Sequence, residues 1–463
     1  MLTPSLDVLP FFAVFAPAMT APSFQHLLVL FCGAVLAPGA RMVTTALRAL
    51  GRHSGNFSQY HSFFNRARWS PMLLSRLLLG LLVQTFLASD APLIVLVDEH
   101  LERRRARRIP YRGVYRDPTR SSAGRLVFAW GIRWLVFALL VPVPWSRRGW
   151  ALPFMVIPLL NEKLCQRLRR RHHTVTEVTG LCIGHLRRWQ PQRPLVLVGD
   201  GTFAAVSLSN RCRKLRPAVQ FVSRLRWDAV LHAFPEPRPA GKRGRTPTKG
   251  GRLPKLCEVM ADPKTPWRRA TLRWYGGQSK SVELATGECL WYRGGQEPTP
   301  IRWVIIRSPE GDLHPVEPTA CFSTDREAAP EQIVAWFVLR WNIEVTFAEV
   351  RAHLGFETQR HWSSLATNRV TPCLFGAFSL VVVLARRWHP ERLPIQQSGW
   401  YHKEEATFAD ALAAVRRHLW QALTPKLVPT PWWNFVTSAA PEDVCIIPAR
   451  LWRQVQEVAC YAP

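Results

Sequence analysis

Apolar residues recur at helical spacing in SFQHLLVLFCGAVLA and again in SPMLLSRLLLGLLVQTFLA, so residues 1–90 read as a helical region. Between these runs, Thr44 to Leu50 reads as a short helix that Gly51 ends. Ser58 then caps a second, carrying Tyr60, His61, Phe64, Arg66 and Arg68. Two short helices around a Gly-containing turn suit a helix-turn-helix, which makes this region a candidate for DNA binding. From residue 91 the pattern changes. LIVLVD, LVFAWG and IRWLVFALLVPV read as three strands, followed by a helix over about HHTVTEVTGLCIGHLRRWQ. LVLVGDG has the unbroken apolar texture of a fully buried strand, and VQFVSRL reads as another. Strands, then a helix, then strands predict an α/β fold around a mixed sheet over 91–235. Residues 236–256 form a Pro/Gly-rich basic stretch, expected to be a solvated loop. RATLRWYG, SKSVELA, ECLWYRG and IRWVIIRS read as short strands of a small β-rich insertion, so that loop and insertion together fill 236–325. A long helix from near Pro330 through HLGF, then CLFGAFSLVVVLARRW, read as helices of a 326–395 segment. TFADALAAVRRHLWQAL and a Trp-rich tail close the chain over 396–463.

Composition narrows the partner. The 463 residues carry 61 Lys and Arg against 32 Asp and Glu, a net charge of +29. Compact folding works against that self-repulsion, and a polyanion relieves it, nucleic acid first and an anionic membrane second. The membrane is the weaker choice. Leu27 to Pro38 and Leu374 to Ala385 fall well short of the roughly 20 apolar residues a spanning helix needs. Leu126 to Trp145 is interrupted by Gly131, Arg133, Pro142 and Pro144. The apolar N-terminus lacks the basic n-region of a secretory signal. Ten cysteines with no C-x-x-C pair suggest free thiols in a reducing cytoplasm. There is no G-x-S-x-G, no Walker loop and no G-x-G-x-x-G after a strand.

Acids stand out at two matching places. Asp98 ends LIVLVD and Asp200 ends LVLVGD, so each carboxylate is expected at the carboxyl end of a strand. If those strands are parallel neighbours, the acids meet at one edge of the sheet. Two such carboxylates repel unless a proton or a hard cation lies between them; turn residues facing water are the plain alternative. A third acid lies in EQIVAWFVLRWNIEVTFAEVRAHLGF. At 100° per residue Glu344 falls about 40°, and Arg351 about 20°, from Arg340, beside a stripe of Trp336, Ile343, Phe347, Val350 and Leu354. A plain Arg–Glu ion pair on a helix surface fits this spacing equally well.

The string F-x2-R-x3-E-x6-R, Phe337 to Arg351, resembles the Y-x2-R-x3-E-x6-K signature of bacterial insertion-sequence transposases of the DDE type. The likeness extends to LVDEHLERR, LVLVGDGTF and the tail from WYHK through FADALAAVRRHLW, and so covers most of the chain. It implies a ribonuclease-H-like mixed-sheet core with a β-rich insertion and helical N- and C-terminal regions. In that core Asp98, Asp200 and Glu344 are the catalytic residues and hold two Mg²⁺ ions, with Mn²⁺ as a substitute. Two metals stabilise the attacking and leaving oxygens of an in-line displacement at phosphorus. The resemblance therefore implies an Mg-dependent endonuclease and strand transferase: it nicks double-stranded DNA at the element's ends and joins the 3′-hydroxyl to target DNA. A catalytically inactive, transposase-derived DNA-binding protein is the alternative. Phe337 stands where the signature has Tyr and loses its hydroxyl, and Arg351 replaces Lys, keeping the charge in a forked form. Glu99 follows Asp98 where relatives often carry a second Asp; Asp98 is taken as the ligand.

Candidate DNA contacts are Phe337, Arg340 and Arg351, the run Arg103, Arg104, Arg105, Arg107 and Arg108, and Lys242, Arg243, Arg245 and Lys249 of the basic loop. Further basic runs lie at 167–173 and 211–216. Trp130, Trp134 and Trp341 are assigned packing roles, while an insertion tryptophan such as Trp291 is a candidate for stacking on a displaced base. The resemblance further implies a homodimer in the DNA complex, no membrane partner, and a bacterial cytoplasmic location at the nucleoid.

Overall fold

The structure, a computed structural model, describes residues 8–52, 56–122, 124–237, 246–397, 402–427 and residue 460. The chain opens with α1 (Leu9–Ala13), α2 (Ala21–Leu36), α3 (Val43–Ala49), α4 (Ser58–Asn65) and α5 (Pro71–Phe86). Proline in the first turn of α2 and α5 costs no hydrogen bond there, and Ser70 Oγ accepts from Leu73 N to cap α5. The helices predicted on either side of Gly51 both form. α4 turns Tyr60, Phe63 and Phe64 into the core, leaving His61, Arg66 and Arg68 exposed. Arg369 locks this region down by donating to the carbonyls of Phe64 (3.1 Å) and Trp69 (2.9 Å).

One mixed sheet organises the rest. Its strands are β1 (Leu93–Arg103), β2 (Gly113–Arg116), β3 (Phe128–Val141), β4 (Trp150–Leu159), β5 (Leu195–Gly199), β6 (Gln220–Leu225), β7 (Leu231–His232), β8 (Arg268–Arg273), β9 (Ser279–Trp291), β10 (Thr299–Arg307) and β11 (Thr319–Ser323). They run in the order β2-β3-β1-β5-β6-β11-β10-β9-β7, with β4 also on β3 and β8 on β9. β1, β5 and β6 are parallel to one another, and β3 is antiparallel to β1. Between strands lie α6 (Glu162–Arg167), α7 (Val175–Trp189), α8 (Val206–Lys214) and α9 (Leu256–Ala261). Thr174 and Glu177 form a capping box that starts α7, so His172 and His173 precede this helix and do not ride on it.

Three expectations change. LVFAWG and IRWLVFALLVPV are one continuous strand, β3. β2, β4, β7 and β11 went unrecognised: β2, β7 and β11 are short, with four, two and five residues, and Pro153 and Pro158 disguise β4. Proline is tolerated because β4 pairs with β3 alone and the ladder slips at Phe137/Ala138, opposite Pro153. In the insertion, SKSVELA and ECLWYRG are likewise one strand, β9, and the insertion strands extend the core sheet through the β6–β11 pairing and do not make a separate unit.

The chain ends in α10 (Pro330–Leu339), α11 (Asn342–Leu354), α12 (Ser364–Trp388) and α13 (Phe408–Leu427). The helix predicted from Pro330 to Phe356 is therefore two. The turn at Arg340 and Trp341 tightens to i→i+3 bonds, Arg340 N to Phe337 O and Trp341 N to Val338 O, each 3.2 Å. α10 lies over β6 and β11, and α11 over β1 and β4. α12 is long and apolar enough to cross a membrane, but 78% of that stretch is buried against β4 and its neighbouring helices, as in a core helix.

Candidate active site

Two acids meet because two strands run parallel. β1 and β5 pair from Leu93↔Leu195 to Val97↔Gly199, so the next residues, Asp98 and Asp200, stand side by side where β5 stops. β1 does not stop there. Asp98 still pairs with Val136 of β3 and the strand continues to Arg103, so this acid occupies an interior position that the end of β5 uncovers. Asp200 opens a turn: Oδ1 accepts from Thr202 N (2.9 Å), and its carbonyl accepts from Ser223 Oγ of β6 (2.6 Å).

Glu344 arrives on the first turn of α11. Arg340 Nη1 donates to Asp98 Oδ2 (3.0 Å) and Nη2 to Glu344 Oε1 (3.2 Å), so one guanidinium spans both acids. Its side chain is 14% exposed, and its Nε has no hydrogen-bond partner. Burial pushes the Asp98 carboxyl up to about 7; Arg340 opposes the shift, while Asp200 and Glu344 add to it. Burial also raises Glu344, against the pull of Arg340 and with a further push from Asp200. Each shift has Asp200 among its causes, so the three carboxylates act on one another. Glu99 points to the opposite face of β1 and is paired with Arg133, which leaves Asp98 as the acid facing Arg340 and Glu344.

Arg351 shares the face of Glu344 on α11, but seven residues, or about 10 Å of helix, separate the two, so it does not join the Arg340–Glu344 pair. It lies within 2.8 Å of His100 Nε2 and donates to Glu357 Oε1 (3.3 Å). Burial, with Arg351 and Arg103 nearby, pushes His100 down to about 3, so the ring is neutral and Nε2 accepts. The ring packs against Phe347 and Phe356, at centroid distances of 4.6 and 5.2 Å. Sequence reasoning missed His100, although its place two residues after Asp98 on a strand already set it on the same face.

The other candidate contacts divide. Arg105, Arg107 and Arg108 are exposed. Arg104 is buried, donating to Glu102 Oε1 (2.8 Å) and Gln359 Oε1 (3.1 Å), which corrects its assignment as a phosphate contact. Arg103 is held by Asp117 at 2.8 and 3.0 Å. Phe337 is half-buried, its ring 6.0 Å from the Arg340 guanidinium. Lys249 lies 3.7 Å over the Tyr292 ring, whereas Lys242, Arg243 and Arg245 lie outside the described residues. Trp134 is buried and donates to Glu102 Oε2 (2.6 Å), as a packing residue should. Trp130 and Trp341 are about half exposed, contrary to their assignment, and Trp291 is buried against Phe322. Tyr275 was also missed. Its turn in the insertion brings the ring edge-on to Trp341 at 6.0 Å, close enough for Arg340 and Glu344 to act on its hydroxyl.

Three carboxylates are a hard oxygen donor set of the kind Mg²⁺ takes, and after burial the repulsion of Asp200 and Glu344 adds to the rise of Asp98. As the side chains stand, Arg340 occupies the space between Asp98 and Glu344. Among the described residues no three His, Cys, Asp or Glu side chains are gathered closely enough to hold an ion. The set suits a divalent cation in its chemistry, and sharing one requires Arg340 to move aside.

A family model described as DDE superfamily endonuclease matches residues 14–298. That span includes Asp98 and Asp200 and stops short of Glu344, which joins the site through Arg340 and through its repulsion with Asp98 and Asp200. Among solved structures, the cryo-EM structure of a piggyBac transposase synaptic complex with hairpin DNA is similar over 95% of this chain and 86% of that one, with 11% identity and a TM-score of 0.44. No curated protein matches the sequence.

Proposed function

The chain belongs to the DDE superfamily of endonucleases, and from that membership we propose that it is a transposase, cutting DNA at the ends of an insertion sequence and joining the freed 3′-hydroxyl to target DNA. The observation that carries the reading is the parallel β1–β5 register, which sets Asp98 beside Asp200, with Glu344 tied to Asp98 through Arg340. The strand order β4-β3-β1-β5-β6 supports describing the core as ribonuclease-H-like.

Asp98, Asp200 and Glu344 would hold two Mg²⁺ ions, with Mn²⁺ as a substitute. When bound, such ions stabilise the attacking and leaving oxygens of an in-line displacement at phosphorus. The protein's own residues prepare the site. Arg340 balances part of the carboxylate charge and, once moved aside, is positioned to hold a phosphate oxygen. Arg351 is 40% exposed, with Nη2 engaged by neutral His100 and Glu357, and its remaining donors would be free to take a phosphate of the DNA backbone. A homodimer would bring two element ends together, in a bacterial cytoplasm at the nucleoid.

The test supplies Mg²⁺ and DNA carrying the inverted repeats that flank the reading frame. The wild-type chain nicks at the element ends, and Asp200→Ala lowers the rate by about 10³-fold or more, the several kcal/mol that positioned metal ions contribute. In parallel, Mg²⁺ raises the melting temperature of the wild type but not of Asp200→Ala. Nicking that survives the substitution refutes the assignment. Wild-type binding without any cleavage identifies the inactive DNA-binding alternative.

A further inference from the structure

We propose that the outer face of the β2–β3 ribbon is a stacking platform for unpaired DNA bases, separate from the acidic site. The inference rests on the reading of DNA as partner and adds a second surface to it. Phe128 and Trp130 alternate along β3 and so share one face, with Val114 and Arg116 across from them in the register Val114↔Trp130 and Arg116↔Phe128. All four are exposed. Phe128 is 60% exposed and Trp130 50%, high for large apolar side chains on a paired strand. Leu126, also 60% exposed, extends the patch, and the Arg112 guanidinium lies 4.0 Å over the Trp130 ring.

The ribbon beneath is tied to the core on its inner face. Tyr115 points inward and donates to Leu159 O (3.0 Å), and Asp117, fully buried, holds Arg103. A fixed ribbon presents its rings ready to stack, with little ordering cost on binding.

Charge selects the occupant. From residue 103 to 125 the chain carries nine arginines and one acid, Asp117, and Arg105, Arg107, Arg108, Arg116, Arg120 and Arg125 are exposed. A second copy of the chain meeting this face would bring like charge against like. A polyanion with flat apolar faces answers both halves of the patch: phosphates take the arginines and bases take the rings. The platform also lies on the sheet that carries the acids. Trp130 O accepts from Arg104 N, six residues beyond Asp98, or about 20 Å along β1. A strand held there extends past the cleavage site and does not occupy it.

The test measures binding of the full chain, without divalent metal, to a labelled single-stranded 20-mer and to the same sequence as a duplex. Phe128→Ala with Trp130→Ala is expected to weaken single-strand binding by about tenfold or more while changing duplex binding by less than about twofold. Trp130→Phe keeps a ring and retains most of the affinity, and Arg116→Gln instead lowers the salt dependence. Both alanine sites are exposed, so the melting temperature is expected to hold. Equal loss on both DNAs, or none on either, overturns the platform. So does an unchanged DNA affinity accompanied by loss of self-association, or by loss of binding to phosphatidylserine vesicles, which assigns the face to a second copy or to lipid. Cleavage activity is scored separately. A chain that cuts DNA but ignores Phe128 and Trp130 loses only the platform, and a chain that binds neither DNA loses both readings.

Discussion

Asp98 is the residue on which the site's electrostatics turn. In the folded chain without metal its carboxyl holds a proton up to about pH 7, while in the unfolded chain a carboxyl of this type gives it up near pH 4. The folded state therefore binds more protons between these values, and its stability falls as pH rises from about 4 through about 7. Neutral His100 contributes the opposite slope, so the difference between two variants is the clean readout. In EDTA, Asp98→Asn is expected to flatten the fall and to melt above the wild type at pH 8, checked by thermal unfolding across pH 4–9. A wild-type profile with the same slope as Asp98→Asn removes the buried, repelling carboxylate from the account. That Asp98 and Asp200 each follow an apolar run was legible in the sequence, but that the two runs pair in parallel, and that β1 continues past Asp98 to Arg103, was not. The union of Asp98 with Glu344 through Arg340 was half legible: the i,i+4 spacing showed the Arg340–Glu344 pair, but nothing local showed that the same guanidinium reaches Asp98 across 242 residues.

At the scale of elements, α11 is held at both ends. Its first turn meets β1 through Arg340, and its last turn ends at Gly355 in the left-handed conformation, φ +63°. A Cβ there would meet Arg41 N at 2.9 Å, and the Arg41 guanidinium donates to the carbonyl of His353. Gly355→Ala is expected to destabilise the chain by about 1–3 kcal/mol, from the strained backbone and the blocked approach. Urea unfolding measures this; a change under about 0.5 kcal/mol would mean that the helix end is not a fixed anchor. Helix and strand identity came largely from periodicity. The break at Arg340–Trp341 did not, because no proline or glycine marks it. Nor did β4, whose prolines argue against a strand that its place on β3 alone makes acceptable.

For the whole molecule, the charge of +29 sets the outer physics. A chain that neutralises about 6–10 phosphates releases as many counterions, so DNA affinity is expected to fall about 10³–10⁵-fold between 50 and 200 mM salt. Anisotropy titrations over that range check it, and a loss under about tenfold would place most of the arginines away from DNA. The clustering of that charge is not uniform. Arg104, Arg369 and Arg416 are buried and bind the chain to itself, while the arginines around β2 face solvent. Composition counts them alike; only burial separates the structural from the exposed.

The amino-acid order alone determined most helical and extended segments, where the charge lies, and that two acids follow apolar runs, because these depend on neighbours a few residues apart. The tertiary structure decided which strands pair, that the insertion continues the core sheet, and that Arg340 bridges Asp98 and Glu344. It also decided that Trp130 faces outward and Arg104 inward. Those outcomes depend on contacts between residues far apart in sequence, and periodicity marks a face as apolar without saying which partner covers it.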